Sequence, residues 1–238
     1  MTESAYSLPI METVKAAWAK VHGTKKSVWA VILIFFLVQI VIGVLNSLGA
    51  KVLFGLINSL VQIIAAGSLV YLGIRRAQDM PVSYKMIKDI LNIRMVLYLI
   101  GIQILQVIIF IPAGILVGIG TYFVYGQPEP SGMMELLAAV FYLVAAVLFI
   151  FLGVRMWIGY AAVLDKKLNP WEAIKLSFKA TRENVWNLIG LYIINLFIVF
   201  VCALTLGIGL IWGIPWLLII YGEAYKRLVS RQDIRPVG

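Results

Sequence analysis

The sequence predicts an all-α integral membrane protein with six transmembrane helices in three helical hairpins, each preceded by an amphipathic helix at the membrane interface. Of its 238 residues, 62% are hydrophobic and 13% are charged, and the mean hydropathy is +0.98. A water-soluble fold of this length has too little interior for so much apolar surface. The charged residues also gather at the ends of long apolar runs. We therefore treat residues 1–238 as a single membrane domain.

The first part of the chain predicts one amphipathic helix and two spans. Residues 10–22 place apolar side chains on one face, and Pro9 precedes them much as a proline opens other helices. Apolar runs at 28–45 and 52–74 follow, joined by a polar turn at 46–51. The first run is long enough to cross the bilayer, so we expect it to be retained as a signal anchor and not cleaved.

The middle part repeats this order. Pro81 opens an amphipathic segment, 81–93, and a long span at 95–124 follows with Pro112 inside it. Such a length allows tilting or kinking. A break rich in proline and glycine at 126–135 precedes the fourth span, 136–164.

The last part starts with the best-signalled helix of the chain. Asn169 is a suitable cap, Pro170 suits the first helical position, and Glu172 stands three residues after the cap. The basic polar face of this helix predicts that it lies in the headgroup layer, with packing beneath the helical bundle as the alternative.

The spans that follow, 188–206 and 208–222, meet at a tight turn containing Gly207. Each is close to the lower limit of about 17 residues for a full crossing. A re-entrant hairpin that dips into the bilayer and returns is therefore the alternative to six complete spans.

These elements predict three copies of one unit: amphipathic helix, span, turn, span. The units cover residues 9–80, 81–168 and 169–231, and the first and third align most visibly. Such duplication is common in membrane proteins, and related units often enclose a site at their interface.

A set of short motifs lies in the region from about 150 to 230: Arg155, Leu164-Asp165, Pro170-Trp171-Glu172-Ala173, Ser177-Phe178, Asn184-Val185-Trp186, Gly207-Ile208-Gly209, Pro215 and Tyr225. Through these motifs the region resembles a broad group of bacterial integral membrane proteins. The group includes the YciC-like inner-membrane proteins and the membrane domain fused to some glycerophosphodiester phosphodiesterases. The resemblance implies a fold and an inner-membrane location. It implies no activity, because these motifs are structural and the chain has no phosphodiesterase domain.

The distribution of basic residues predicts the orientation. Nearly all lysines and arginines fall on one side of the predicted spans; Lys51 lies on the other side and Arg155 lies within a span. The positive-inside rule then places both termini in the cytoplasm. Because the cations are spread over span ends and do not form a separate domain, we expect anionic lipid as the partner, with a protein partner also possible, and no nucleic acid.

Residues for catalysis are scarce. His22 is the only histidine, Cys202 is the only cysteine, and the eleven acidic residues are scattered. Hydrolysis and group transfer need a nucleophile with a base, paired carboxylates or a metal cluster. We therefore expect no enzymatic activity, no metal site and no cofactor. Gly114, Gly118 and Gly120 are interpreted as helix-packing glycines.

Polar residues inside the spans form a candidate intramembrane site. Arg155 is expected either to extend to lipid phosphate or to pair with another helix, for which Glu223 is the first partner to test. The other members are Gln39, Asn58, Gln62, Gln103, Gln106 and Asn195. They either line a polar path or form hydrogen bonds between helices.

The functional hypothesis is a non-enzymatic protein that organises lipid or a partner protein at the cytoplasmic leaflet, within envelope homeostasis. The alternative is a transporter or channel for a lipid or small amphiphile, using a polar seam between the repeats. The residues expected to contact lipid headgroups are Lys85, Lys88, Trp171, Lys175, Lys179 and Arg182.

Overall fold

The computed structural model describes residues 7–47, 51–126 and 131–230, and every regular element within these ranges is helical. The α-helices are α1 (Ile10–Ala19), α2 (Lys25–Ser47), α3 (Lys51–Ala77), α4 (Ile87–Ile90), α5 (Ile93–Tyr125), α6 (Gly132–Lys166), α7 (Pro170–Thr181), α8 (Val185–Leu204) and α9 (Leu210–Val229). The prediction of an all-α fold is confirmed over these ranges. The turns predicted at 46–51 and 126–135 lie partly outside the described residues.

Five of the described helices are long and apolar enough to cross a membrane. They are Lys25–Ser47, Val52–Ala77, Ile93–Tyr125, Gly132–Lys166 and Val185–Leu204. Helix α9 has 20 residues, but Glu223, Lys226 and Arg227 occupy its C-terminal half. These charges explain why α9 does not qualify by composition.

Of the predicted amphipathic helices, the one at 169–181 forms as expected and the one at 81–93 does not. Asn169 caps α7 as expected, because its Oδ1 accepts the N–H of Glu172 at 2.9 Å. The segment 81–93 is not one helix: a single 3-10 turn at Tyr84–Met86 leads into the four residues of α4. The reason is a second cap, since the side chain of Asn92 accepts the N–H of Arg94 and starts α5 there.

The best-packed part of the molecule lies at one end of the long helices. We call it the platform; it comprises α1, α4, α7 and the C-terminal turns of α3, α6 and α9. Most of the side chains buried in the main core belong to it or to the helix turns that enter it. The hairpin of α5 and α6, by contrast, exposes many large apolar side chains between Ile104 and Phe151. Because lipid is an apolar solvent, this is the surface expected of membrane-crossing segments.

Each amphipathic segment packs on the end of a different long helix. In α1, the Val14 carbonyl accepts a hydrogen bond from Trp216 Nε1 of α9 at 3.0 Å. Helix α4 lies against α3, and α7 runs antiparallel to α6, where Ser177 Oγ donates to the Arg155 carbonyl at 2.7 Å.

Helix α7 buries part of its apolar face against the rest of the protein. Ile174 and Thr181 are buried in the protein, whereas Trp171 remains 56% exposed. Packing against the bundle, the alternative left open by the sequence, therefore describes that face.

Helices α3 and α9 touch through their backbones. A Cβ built on Gly73 would lie 2.2 Å from the Leu218 carbonyl oxygen, and one on Gly222 would lie 2.5 Å from the Gly73 carbonyl oxygen. Of the three glycines predicted to pack helices, only Gly120 does so, against Tyr142; Gly114 and Gly118 have nothing within 4 Å of such a Cβ. The prediction for those two is wrong because no helix lies over them.

The α8–α9 turn is tight, and α9 begins close to the start of α2. Leu206 and Gly207 have φ angles of 54° and 84°, and Thr205 Oγ1 accepts the N–H of Gly209 at 2.8 Å. In the first turn of α9, the Ile211 carbonyl accepts a hydrogen bond from Trp29 Nε1 at 3.1 Å. Lys25 Nζ lies 4.5 Å from the centre of the Trp212 ring.

Candidate functional site

Glu223 does not pair with Arg155. Its Oε1 lies 2.7 Å from Lys20 Nζ, and its Oε2 lies 3.9 Å from Arg227 Nε. Among the described residues, no carboxylate lies within ion-pair distance of Arg155; its guanidinium stacks over the Phe178 ring at 4.9 Å, and its Nε is buried without a hydrogen-bond partner. The predicted pair fails because Glu223 faces the α1 side of α9, whereas Arg155 faces α7.

Lys20 is the centre of a charge cluster that the sequence did not predict. Its Nζ donates to Glu223 Oε1 and to the Ala77 carbonyl, both at 2.7 Å, and lies 2.8 Å from Asp79 Oδ1. The carboxylate of Glu223 is only 5% exposed. The cluster therefore joins the end of α1 to the ends of α3 and α9, and its bonds satisfy a buried charge that would otherwise be costly.

A second polar link joins α3, α6 and α9. One carboxylate oxygen of Asp165 accepts a hydrogen bond from Gln78 Nε2 at 3.0 Å, and the other accepts one from the Tyr225 hydroxyl at 2.9 Å. Both polar links lie within the platform. They fix the ends of the long helices relative to one another.

The stability of the protein is expected to fall at both pH extremes because of Lys20 and Asp79. The hydrogen bond from Lys20 lowers the pKa of Asp79. Burial lowers the pKa of Lys20, but the hydrogen bonds and charges of Asp79 and Glu223 outweigh burial and raise it overall. The contribution of Asp79 is complete above its unfolded-state pKa of about 3.9 and is lost as the pH falls through the lower folded-state value. That of Lys20 is complete below about 10.4 and is lost as the pH rises through the higher folded-state value.

The measurement is the melting temperature of the detergent-purified protein from pH 3 to pH 11. Asp79 has a φ of 63°, which asparagine also tolerates, so Asp79→Asn is the cleanest variant. It should flatten the acid side of the profile. An unchanged acid side in this variant would contradict the assignment.

The polar residues inside the spans are not gathered into one site. A cavity of about 480 Å³ between α3, α5, α6 and α9 is lined by Gln103 and Gln106, together with Trp157, Tyr160 and Tyr221. Arg155, Glu223, Gln39, Asn58, Gln62 and Asn195 are not in its lining. The side-chain oxygens of Asn58 and Asn195 are buried without a hydrogen-bond partner, and Gln62 is exposed.

The two tyrosine hydroxyls at this cavity hold helices together. The Tyr160 hydroxyl donates to the Ile63 carbonyl of α3 at 3.0 Å, and the Tyr221 hydroxyl of α9 donates to the Trp157 carbonyl of α6 at 2.5 Å. The amides of Gln103 and Gln106 and the indole N–H of Trp157 are polar groups of the lining that these two bonds do not use.

The residues predicted to contact headgroups are all exposed. Lys85 and Lys88 lie in and beside α4, and Lys175, Lys179 and Arg182 lie in and after α7. Lys175 Nζ lies 5.2 Å from the centre of the Trp171 ring. Within the described ranges, no group of three or more His, Cys, Asp or Glu residues is placed to hold a metal ion.

Comparison of the chain with protein-family models, with curated proteins and with solved structures gives no match.

Proposed function

We propose that the protein is a non-enzymatic, multi-pass inner-membrane protein that organises anionic lipid, or a partner protein, at its cytoplasmic leaflet. The observation that carries this proposal is the platform: a well-packed, basic layer at one end of helices whose remaining surface is apolar. Cations held near an anionic leaflet contribute about 1 kcal/mol each. The resemblance to the YciC-like group is part of this proposal, because that group consists of inner-membrane proteins.

The proposed orientation of the protein in the membrane rests on the same basic platform. The platform carries the charge cluster and the exposed lysines, whereas Lys51 begins α3 at the opposite end. The positive-inside rule supports a cytoplasmic platform and cytoplasmic termini.

The position of α9 favours the re-entrant alternative over six full spans. If α9 began at the far membrane surface, its first turn would lie about 30 Å from the platform side. Instead Ile211 and Trp212 contact Trp29 and Lys25, which lie in the first turns of α2 on the platform side. The proposed topology is therefore four complete crossings, α2, α3, α5 and α6, with α8 and α9 forming a hairpin that enters and leaves on the cytoplasmic side.

The threefold repeat is supported by the packing of the amphipathic segments. Helix α4 lies against α3 of the first unit, α7 against α6 of the second, and α1 against α9 of the third. Each segment thus packs on the last helix of the unit before it, and α1 closes the circle. Cavities lie at the boundaries between units, one between α3, α5, α6 and α9 and one between α6 and α8.

The experiment that tests the proposed function measures the lipid shell of the protein. The protein is extracted in polymer discs, and the ratio of phosphatidylglycerol to phosphatidylethanolamine in the discs is compared with that of the membrane. Enrichment of the anionic lipid is expected, with a large loss when Lys85, Lys175, Lys179 and Arg182 are all replaced by glutamine. Lys51→Gln, at the opposite end, is the matched control. No enrichment in the wild type would overturn the proposal.

A transport function is the second candidate, favoured by the cavity that contains Gln103 and Gln106. Its lining is otherwise mostly apolar and aromatic, a composition that suits a small amphiphile with one hydrogen-bonding group. Uptake of a fluorescent short-chain lipid into proteoliposomes tests it. Loss of uptake in a Gln103→Leu/Gln106→Leu variant is expected if the cavity is used, and absence of uptake in the wild type would reject it.

A further inference from the structure

A second cavity of about 480 Å³ opens within the platform, where α3 and α6 end and α5 begins. Its floor is formed by the buried side chains of Tyr71, Ile90, Met95 and Leu164. Its rim is polar. The cavity thus combines an apolar base with a charged mouth at the level of the platform.

Three cations and one carboxylate line the rim. Arg75, Lys88 and Lys167 contribute three positive charges and Asp89 one negative charge, which leaves a net charge of +2. In the part of the chain that the structure describes, none of the three cations lies within 4 Å of a carboxylate oxygen. Elsewhere in the platform Lys20, Lys226 and Arg227 all have such partners. Among the described residues, no ion pair therefore neutralises these three cations, and Asp89 is the one acidic residue that lines the cavity with them.

The fold holds these cations in place. The Arg75 guanidinium donates to the Tyr71 hydroxyl at 2.6 Å and to Met80 Sδ at 3.3 Å, neither of which neutralises its charge. Lys167 has a left-handed backbone, with a φ of 53°, directly after the last turn of α6. Conformations of this kind are uncommon for residues other than glycine and asparagine.

The helix ends contribute in both directions, because the cavity lies at the C-termini of α3 and α6 as well as at the N-terminus of α5. The N-terminus of α5 follows Asn92, which also lines the cavity. The positive end of the α5 dipole faces this region, but so do the negative ends of the α3 and α6 dipoles, so the positive charge of the rim comes from the three cations. A doubly or singly charged oxyanion with several acceptor atoms matches this arrangement, because it can accept hydrogen bonds from an arginine and two lysines at once.

We propose that this cavity binds a phosphate ester, supplied either by the headgroup of a membrane phospholipid or by a soluble phosphorylated molecule. The inference rests on the proposed function, since it assigns the lipid-organising face one specific site. The phosphate lies between Arg75, Lys88 and Lys167, and the apolar floor accommodates the neighbouring carbon atoms of the ester.

The test compares two probes on the full-length protein in detergent. Dihexanoyl phosphatidylglycerol represents the lipid source and glycerol 3-phosphate the soluble source. Binding is followed by isothermal titration calorimetry and by the ligand-dependent rise in melting temperature. One saturable site is expected. If only the lipid binds, the phosphate comes from the membrane; if glycerol 3-phosphate binds equally well, it comes from solution.

The decisive variant is Lys88→Gln/Lys167→Gln. Both side chains are exposed, so the fold should be retained, and the affinity should fall by about tenfold for each lysine. Lys15→Gln/Lys26→Gln removes two exposed cations that lie outside the cavity and outside the predicted headgroup-contact set, and it should leave the affinity within about twofold. Arg75→Gln is a separate variant, because Arg75 also contacts Tyr71 and Met80.

Two results would overturn the inference: neither probe binding to the wild type, or equal losses in the two double variants. Either result can occur while the lipid shell remains enriched in phosphatidylglycerol, in which case the general lipid function stands and the specific site does not. A shell without enrichment would count against the general function alone.

Discussion

Replacing Lys20 by methionine is expected to destabilise the protein by about 3–5 kcal/mol, because it leaves Glu223 buried without its closest partner. Arg227 is the remaining cation, and its Nε is 3.9 Å from the carboxylate. Thermal and denaturant unfolding in detergent measure the loss. Removing both charges in Lys20→Met/Glu223→Leu should cost clearly less than the sum of the single changes, since neither charge is then left alone.

Arg155 supplies the matched control for this cycle. Arg155→Met and Glu223→Leu should be additive within about 0.5 kcal/mol, because the two residues share no contact. Additive effects for Lys20 and Glu223, or strong coupling between Arg155 and Glu223, would contradict the placement of α1 beside α9.

An alanine at Gly73 is expected to cost about 3 kcal/mol. Its Cβ would lie 2.2 Å from the Leu218 carbonyl oxygen, and this atom belongs to the α9 backbone, so the two helices must move apart. Gly222→Ala should behave similarly, because the Gly73 carbonyl oxygen lies 2.5 Å from the position of its Cβ. Unfolding midpoints in detergent provide the comparison.

Gly114→Ala is the control for this prediction, because the same atom added in α5 has nothing within 4 Å. Its effect should be neutral or slightly stabilising, as alanine is the better helix former. Equal stability of the Gly73 and Gly114 variants would show that α3 and α9 are not in backbone contact.

The glycines show where sequence reasoning reaches its limit. A glycine in an apolar helix fits a packing role equally well at 73 and at 114, since the pattern is local. Whether another helix covers the position depends on the chain more than a hundred residues away. The Asn169 cap could be predicted because its partner, Glu172, is three residues distant.

The charge cluster around Lys20 could not be predicted from the sequence for the same reason. Lys20 and Glu223 are separated by 203 residues, and each reads as an ordinary charged residue beside an apolar run. Arg75 and Lys167 were counted for orientation, but nothing in their local sequence placed them at one cavity. For a related reason the apolar run at 208–222 did not indicate how far into the membrane α9 extends. Hydropathy reports how apolar a helix is and not where in the bilayer it begins.

In the proposed topology the basic platform faces the cytoplasm, and the α8–α9 turn does not reach the opposite surface. Labelling with a membrane-impermeant maleimide on intact cells tests it most directly, with single cysteines introduced in a Cys202→Ala background at Leu206, Ser131 and Ser230. Leu206 is 94% exposed on the protein surface, so only the membrane would protect it. We expect labelling of Ser131→Cys alone. Labelling of Leu206→Cys as readily as Ser131→Cys, or of Ser230→Cys from outside, would show that this topology is wrong.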